Sequence, residues 1–211
     1  MHIPALIRQA VQSSKAIVFD FDGTLVDSNE IKRRGFDHAF AAYPERMAQI
    51  REYCYSFNHT IRSEKFRYVT EQILGLQYTP ELDRLFHERY AAFTTDSVAN
   101  APEIPGAGAF LASLTSRRTA LLSSTPTAIL MEILDRRGWR AFFSEVQGAP
   151  VDKAAWLTGF QRLLGCRPEQ ILFFGDTDED AGSAQAVRCT FVRVGKIAGH
   201  DELALPDFTG L

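Results

Sequence analysis

Ala16, Ile17, Val18 and Phe19 form an unbroken apolar run that empties into two acids, Asp20 and Asp22, followed at once by Gly23. A short continuous run of this kind reads as a strand covered on both faces, which is the habit of parallel sheets. Residues 119–123 (TALLS), 171–175 (ILFFG) and 190–194 (TFVRV) have the same character, and 143–147 is a weaker candidate. Between these runs the apolar residues recur at helical spacing: Phe110/Leu111/Leu114, Ile129/Leu130/Ile133/Leu134, Trp156/Leu157/Phe160/Leu163/Leu164 and Ala181/Ala184/Val187. Strand and helix thus alternate at short intervals from about residue 105, which predicts an α/β protein with a parallel, βαβ-built sheet.

Residues 28–100 break that alternation. Their spacing is helical throughout, with Phe36/Ala39/Phe40/Tyr43, Phe66/Val69/Ile73 and Leu82/Leu85/Phe86/Phe93, and breaks at Tyr43-Pro44, around Asn58-His59-Thr60 and at Thr79-Pro80. The Pro- and Gly-rich stretch 99–108 returns the chain to the sheet. The expected organisation is a sheet domain from residues 1–27 and 101–211, with an all-helical insertion at 28–100. The segments around 26–29 and 99–106 read as hinges on which the insertion would close.

The net charge of −3 gives no electrostatic reason to expect nucleic acid or an anionic membrane as partner. Cys54, Cys166 and Cys189 form no CxxC pair and are odd in number, so they read as buried thiols in a reducing cytoplasm rather than a zinc site or disulfide frame. The start of the chain carries no basic stretch ahead of a long apolar run. Ile3, Leu6, Ile7 and Ala10 suggest a short amphipathic helix there instead of a secretory signal. No apolar stretch approaches the ~20 residues that span a bilayer.

In extended backbone, residues two apart face the same side, so Asp20 and Asp22 present their carboxylates together at the carboxyl end of a predicted strand. Open α/β sheets bind ligands at those ends. Asp22-Gly23 alone would also read as an ordinary turn, but a second apolar run, Phe173-Phe174-Gly175, leads into Asp176, Asp178, Glu179 and Asp180. Acids are favoured at a helix start in any case. If the two strands are neighbours, however, several carboxylates converge. Each like-charged pair ~4 Å apart costs about 4 kcal/mol at an effective dielectric of 20, so the cluster calls for a cation. All-oxygen ligands with room for a phosphate oxygen and water favour Mg²⁺ over Ca²⁺. A third run ends in Ser123 and Ser124, with Pro126 placed to open a helix. Those hydroxyls either cap that helix or receive a phosphate at its amides. Lys153 opens the helical run around Trp156, where a cation opposes the helix dipole unless an anion lies close.

These motifs, DFDGTLVDS, a strand ending in Ser123, Lys153 and GDTDED in that order, resemble the haloacid dehalogenase superfamily, in particular its phosphoglycolate-phosphatase-like members. The resemblance covers residues 15–211. It implies a Rossmann-like, doubly wound core carrying a helical cap, and a Mg²⁺-dependent phosphatase that hydrolyses a small phosphorylated metabolite through an aspartyl-phosphate. It implies that Asp20 is the nucleophile and that Asp22 is the general acid and then base, with its backbone carbonyl on the metal. Ser123 and Ser124 would bind phosphate and Lys153 would steady Asp20 and the phosphoryl charge. Asp20, Asp22, Asp176 and Asp180 would form the metal site, with Asp178 a competitor for the place of Asp180. The sequence departs from relatives in having Ser124-Thr125-Pro126 where Asn and a lysine are usual. The acid at position 22 argues against the dehalogenases and phosphonoacetaldehyde hydrolases. A β-phosphoglucomutase-like sugar phosphomutase is the alternative enzyme, and a non-catalytic binding protein of the same fold the alternative of another class. Among the cap's polar residues (Lys32, Arg33, Arg34, Asn58, His59, Arg62, Lys65, Arg67), Arg62 and Lys65 are the expected second contact for an anionic substrate, against the plainer reading of a solvated basic face.

Overall fold

The computed structural model describes residues 3–56, 60–114, 116–195 and 203–211; the break expected at Asn58-His59 lies outside the described residues. The chain divides into two compact units, one of Met1–Asp27 with Ala101–Leu211 and the other of Ser28–Asn100.

In the first unit, helix α1 (Ile3–Ser13) precedes strand β1 (Ala16–Phe19). Among the described residues six strands form one parallel sheet in the order β3-β2-β1-β4-β5-β6, where β2 is Arg118–Pro126, β3 Glu145–Ala149, β4 Ile171–Gly175, β5 Thr190–Val194 and β6 Ala204–Leu205. The chain therefore leaves β1 toward β2 and β3, then crosses back to build β4, β5 and β6 on the other side. This makes the sheet doubly wound, with β1 at the switch point where such sheets bind ligands. The predicted α/β class is what the structure has. β2 runs on to Pro126, so Pro126 caps the next helix instead of opening it. β3 lies two residues later than its weak apolar signal, and β6 is too short to leave any periodicity.

The alternation of β1 sorts the core. Ala16 and Val18 pack with Leu157, Phe160, Ala184 and Val187 of the helices on one face, α8 (Lys153–Leu164) and α9 (Asp178–Val187). On the other face Phe19 stacks on Phe174 with centroids 5.2 Å apart, and Phe110, Phe143 and Phe208 surround the pair. Helices α6 (Ala107–Ser113) and α7 (Thr127–Arg137) complete the unit. The exit and return segments, expected as hinges, are paired: Asp27 N–H donates to Pro102 O at 2.9 Å and Ile104 N–H to Leu25 O at 2.9 Å.

The second unit holds α2 (Asn29–Ala39), α3 (Met47–Ser56), α4 (Arg62–Tyr68), a π-helical turn at Val69–Ile73 and α5 (Pro80–Ala99). Its core is aromatic: Phe36, Phe40, Phe66, Phe86 and Tyr90, with Ile50 and Cys54. Gly35 permits close approach of α2 to α5, since a Cβ there would sit 2.6 Å from the Tyr90 ring. Thr79 and Pro80 start α5 as their types require, the Thr79 hydroxyl accepting from Leu82 N–H.

Candidate active site

Parallel register brings the strand ends level. Phe19 pairs with Leu121 on one side and Phe174 on the other, so Asp20, Ser123 and Asp176 emerge one or two residues beyond a common line. Asp20 N–H still bonds Phe174 O at 2.8 Å, which anchors it to the sheet. Gly23, at φ 84°, then turns the chain, and Gly23 N–H returns to Val26 O.

One carboxylate oxygen from each of Asp20, Asp176 and Asp180 lies within 4.8 Å of the others. Lys153 reaches them from the first turn of α8, its Nζ 3.0 Å from Asp20 Oδ1 and 2.6 Å from Asp180 Oδ1. Asp20, Lys153 and Asp180 are all buried. Lys153 starts α8 behind Asp152, whose side chain accepts from Ala155 N–H. That acid at the helix start offsets the dipole which the lysine opposes.

The charges do not balance. Burial lifts the Asp20 carboxyl well above the usual carboxylate range; Lys153 pulls it down, while Asp180, Asp176 and Asp22 push it further up. Burial also works against the Lys153 ammonium, but Asp20 and Asp180 outweigh it and hold the lysine above its ordinary value. Burial is the larger influence on Asp20 and the carboxylates are what hold Lys153 up, but both point the same way: one lysine faces several carboxylates, and the cluster gains from additional positive charge. Hard carboxylate oxygens from two separate stretches of chain are the donor set of a divalent cation site, so these residues fit a metal.

Asp178 and Asp180 part company. Asp180 caps its own helix: its N–H donates to Thr177 Oγ1, and its Oδ2 accepts from Thr177 N–H at 3.2 Å and Oγ1 at 2.6 Å. The opposite oxygen faces Lys153. Asp178 is drawn away by Arg193 of β5, whose guanidinium sits 2.9 Å from Asp178 Oδ1 and also donates to Asp176 O at 3.1 Å. Gly175 is required for this packing, since a Cβ there would lie 2.6 Å from the Asp180 Cβ.

Ser123 is buried and its Oγ accepts from Thr125 N–H at 3.1 Å. A hydroxyl that accepts in this way still has its own proton to donate. Ser124 is exposed beside it. Asp22 is half-buried, and its Oδ2 accepts from the Thr125 hydroxyl at 2.7 Å. Sequence reasoning met Thr125 only as a departure from relatives, and did not single out Thr24, which donates to Asp176 Oδ1 at 3.2 Å, nor Thr177 or Arg193. A hydroxyl next to each acidic motif was the available signal, but such residues are common at strand and helix ends.

In the helical unit the two expected anion contacts differ. The Arg62 guanidinium stacks 4.1 Å from the Tyr90 ring centroid. Lys65 is buried, with Nζ donating to Cys54 O at 2.7 Å over the Phe36 ring. That placement corrects the expectation of an open contact at position 65. The side chain is spent holding α3 to α4, because helical spacing alone does not tell which basic residue turns inward.

Fold and site together define an α/β protein with carboxylates clustered at the carboxyl ends of a doubly wound parallel sheet. The chain belongs to the haloacid dehalogenase-like hydrolase family, whose sequence pattern it matches over residues 14–188. It is 30% identical over 190 residues to the phosphoglycolate phosphatase of Synechococcus elongatus, covering 85% of this chain and 83% of that protein. To phosphoglycolate phosphatase 1 of Pseudomonas aeruginosa it is 27% identical, over 88% of this chain and 72% of the other. Among solved structures, CbbY from Rhodobacter sphaeroides in complex with phosphate superposes with a TM-score of 0.69 at 20% identity, covering 93% and 96% of the two chains. No helix among the described residues is long and apolar enough to cross a membrane.

Proposed function

We propose that this enzyme is a Mg²⁺-dependent phosphatase that hydrolyses a small-molecule phosphate monoester, of the phosphoglycolate kind, through an aspartyl-phosphate. The observation that carries the reading is the triangle of Asp20, Asp176 and Asp180, with Lys153 bridging its two buried corners, Asp20 and Asp180. The similarity to phosphoglycolate phosphatases supports the reaction class and suggests the substrate.

Asp20 Oδ is the nucleophile: it attacks phosphorus as the ester P–O bond breaks, and Asp22 donates a proton to the departing alkoxide. In the second half Asp22 takes a proton from water, which attacks the aspartyl-phosphate and releases inorganic phosphate and free Asp20. Dividing the reaction into two displacements lowers a barrier whose uncatalysed rate is among the slowest known. Lys153 orients Asp20 and meets the charge on the equatorial oxygens, and the Ser123 hydroxyl donates to them. Asp20, Asp176 and Asp180, with the Asp22 backbone carbonyl, would hold Mg²⁺. When bound, the ion neutralises the carboxylates and the transferring phosphoryl group. Ser124 contributes at the rim of the phosphate site. Arg62, stacked and half-buried, is the residue of the helical unit assigned to substrate selection; Lys65 is not carried forward. Three buried thiols suit the reducing cytoplasm as the place of action.

The test is turnover of p-nitrophenyl phosphate with Mg²⁺ or EDTA, then a panel of phosphorylated metabolites that includes 2-phosphoglycolate, with products identified. Release of inorganic phosphate, loss in EDTA and a fall of at least about 10³-fold in Asp20→Asn are expected. Undiminished activity in that variant removes the nucleophile assignment, and an isomeric phosphate ester as product would show a mutase. Arg62→Ala should change the ranking of the panel; an unchanged ranking removes Arg62.

A further inference from the structure

Thr125 stands where three parts of the site meet. It is buried at 2% exposure in the last residues of β2, two positions past Ser123. Its hydroxyl donates to Asp22 Oδ2 at 2.7 Å, and its N–H donates to Ser123 Oγ at 3.1 Å. Its carbonyl is tightly confined, since a Cβ on Gly148 of β3 would lie 2.3 Å from it. Asp22, by contrast, lies beyond the end of β1, on a turn whose next residue has left-handed φ. The firm element is Thr125, and the side chain it holds is the one on the turn.

We infer that Thr125 is a positioning residue that aims the Asp22 carboxyl group. This rests on the reading of Asp22 as general acid and base. A hydrogen bond to a buried hydroxyl on the sheet restricts rotation of the carboxyl group and fixes where it meets the leaving oxygen. As the ester P–O bond breaks and its electron pair goes to the leaving oxygen, that oxygen takes the Asp22 proton. In the second half the attacking water returns a proton to Asp22. Through its N–H the same residue fixes the Ser123 oxygen, so the phosphate contact and the proton donor are set by one rigid piece of backbone. General acid catalysis depends on this alignment as well as on acidity.

Protonation matters most when the leaving oxygen is basic, which separates aiming from mere stability. The experiment compares kcat/KM, which reports the first chemical half, for p-nitrophenyl phosphate and phenyl phosphate, esters of similar shape and unequal leaving group. In Thr125→Val the phenyl ester is expected to lose about 10- to 100-fold. The nitrophenyl ester should lose a smaller factor, so that their ratio shifts about tenfold, and Thr125→Ser should bring the ratio back toward that of the wild type. Thermal melting checks folding, and Thr125→Ala replaces the valine variant if the latter does not fold. Equal losses on both esters, no loss on either, or a serine variant that behaves like valine would each overturn the inference while leaving the phosphatase reading intact. A wild-type protein inert toward both esters, with Mg²⁺ present, would bring down that reading and this inference with it.

Discussion

Lys153 is the cation around which the site is organised. It is buried between two carboxylates, and a buried ion pair robbed of one member leaves an uncompensated charge worth about 3–5 kcal/mol. Lys153→Met is therefore expected to lower kcat/KM for p-nitrophenyl phosphate at least about 100-fold and to lower the melting temperature in EDTA; activity within a few-fold of the wild type would contradict its role. The cysteines behave oppositely: they touch none of the chemistry. Burial pushes the thiols of Cys54 and Cys189 up to about 12, so little thiolate forms at neutral pH. Native protein should react slowly with a disulfide reagent at pH 8, all three thiols appearing only in denaturant. Rapid native labelling would show that the core opens readily.

At the scale of elements, the site depends on a close approach that a side chain would forbid. Gly175 ends β4 against the Asp180 side chain that returns from α9. Gly175→Ala forces that carboxylate outward, and the rise in melting temperature produced by Mg²⁺ should shrink or vanish while the metal-free fold survives. A full Mg²⁺ response in this variant would mean that Asp180 is not needed for the ion. Arg193 of β5 works on the same loop from outside, tying Asp178 and the Asp176 carbonyl. Sequence patterning marked the strands that carry these residues, because unbroken apolar runs and turn residues are local signals. It did not separate Asp178 from Asp180, since both lie in one helical turn and the arginine that draws one away belongs to another strand.

For the whole molecule, the burial of Asp20 among further carboxylates makes stability depend on pH and metal together. The folded Asp20 carboxyl holds its proton above the pH at which the unfolded chain, with an ordinary value near 3.9, has lost it. The unfolded state thus binds fewer protons through that window, and stability falls as pH rises from the unfolded value through the folded one. A divalent ion replaces the missing positive charge. The melting temperature in EDTA should decline as pH is raised from about 4 toward neutrality, and the gain from Mg²⁺ should grow over the same range. A Mg²⁺ shift independent of pH would show that the cluster is not what the ion relieves.

What the order of residues determined unaided is the α/β class and the run of acids at strand ends, because apolar periodicity and turn chemistry act over a few neighbours. The register and order of the strands, which set Asp20 beside Asp176 and bring Lys153 to Asp20 and Asp180, depend on pairing between segments as far apart as Ala16 and Ile171. So do Thr24 and Thr125, which steady Asp176 and Asp22 from distant parts of the chain, while the inward turn of Lys65 toward Cys54 O depends on how two helices pack. Those outcomes belong to the tertiary structure, since each is a contest between burial and hydrogen bonding that only the assembled neighbours can decide.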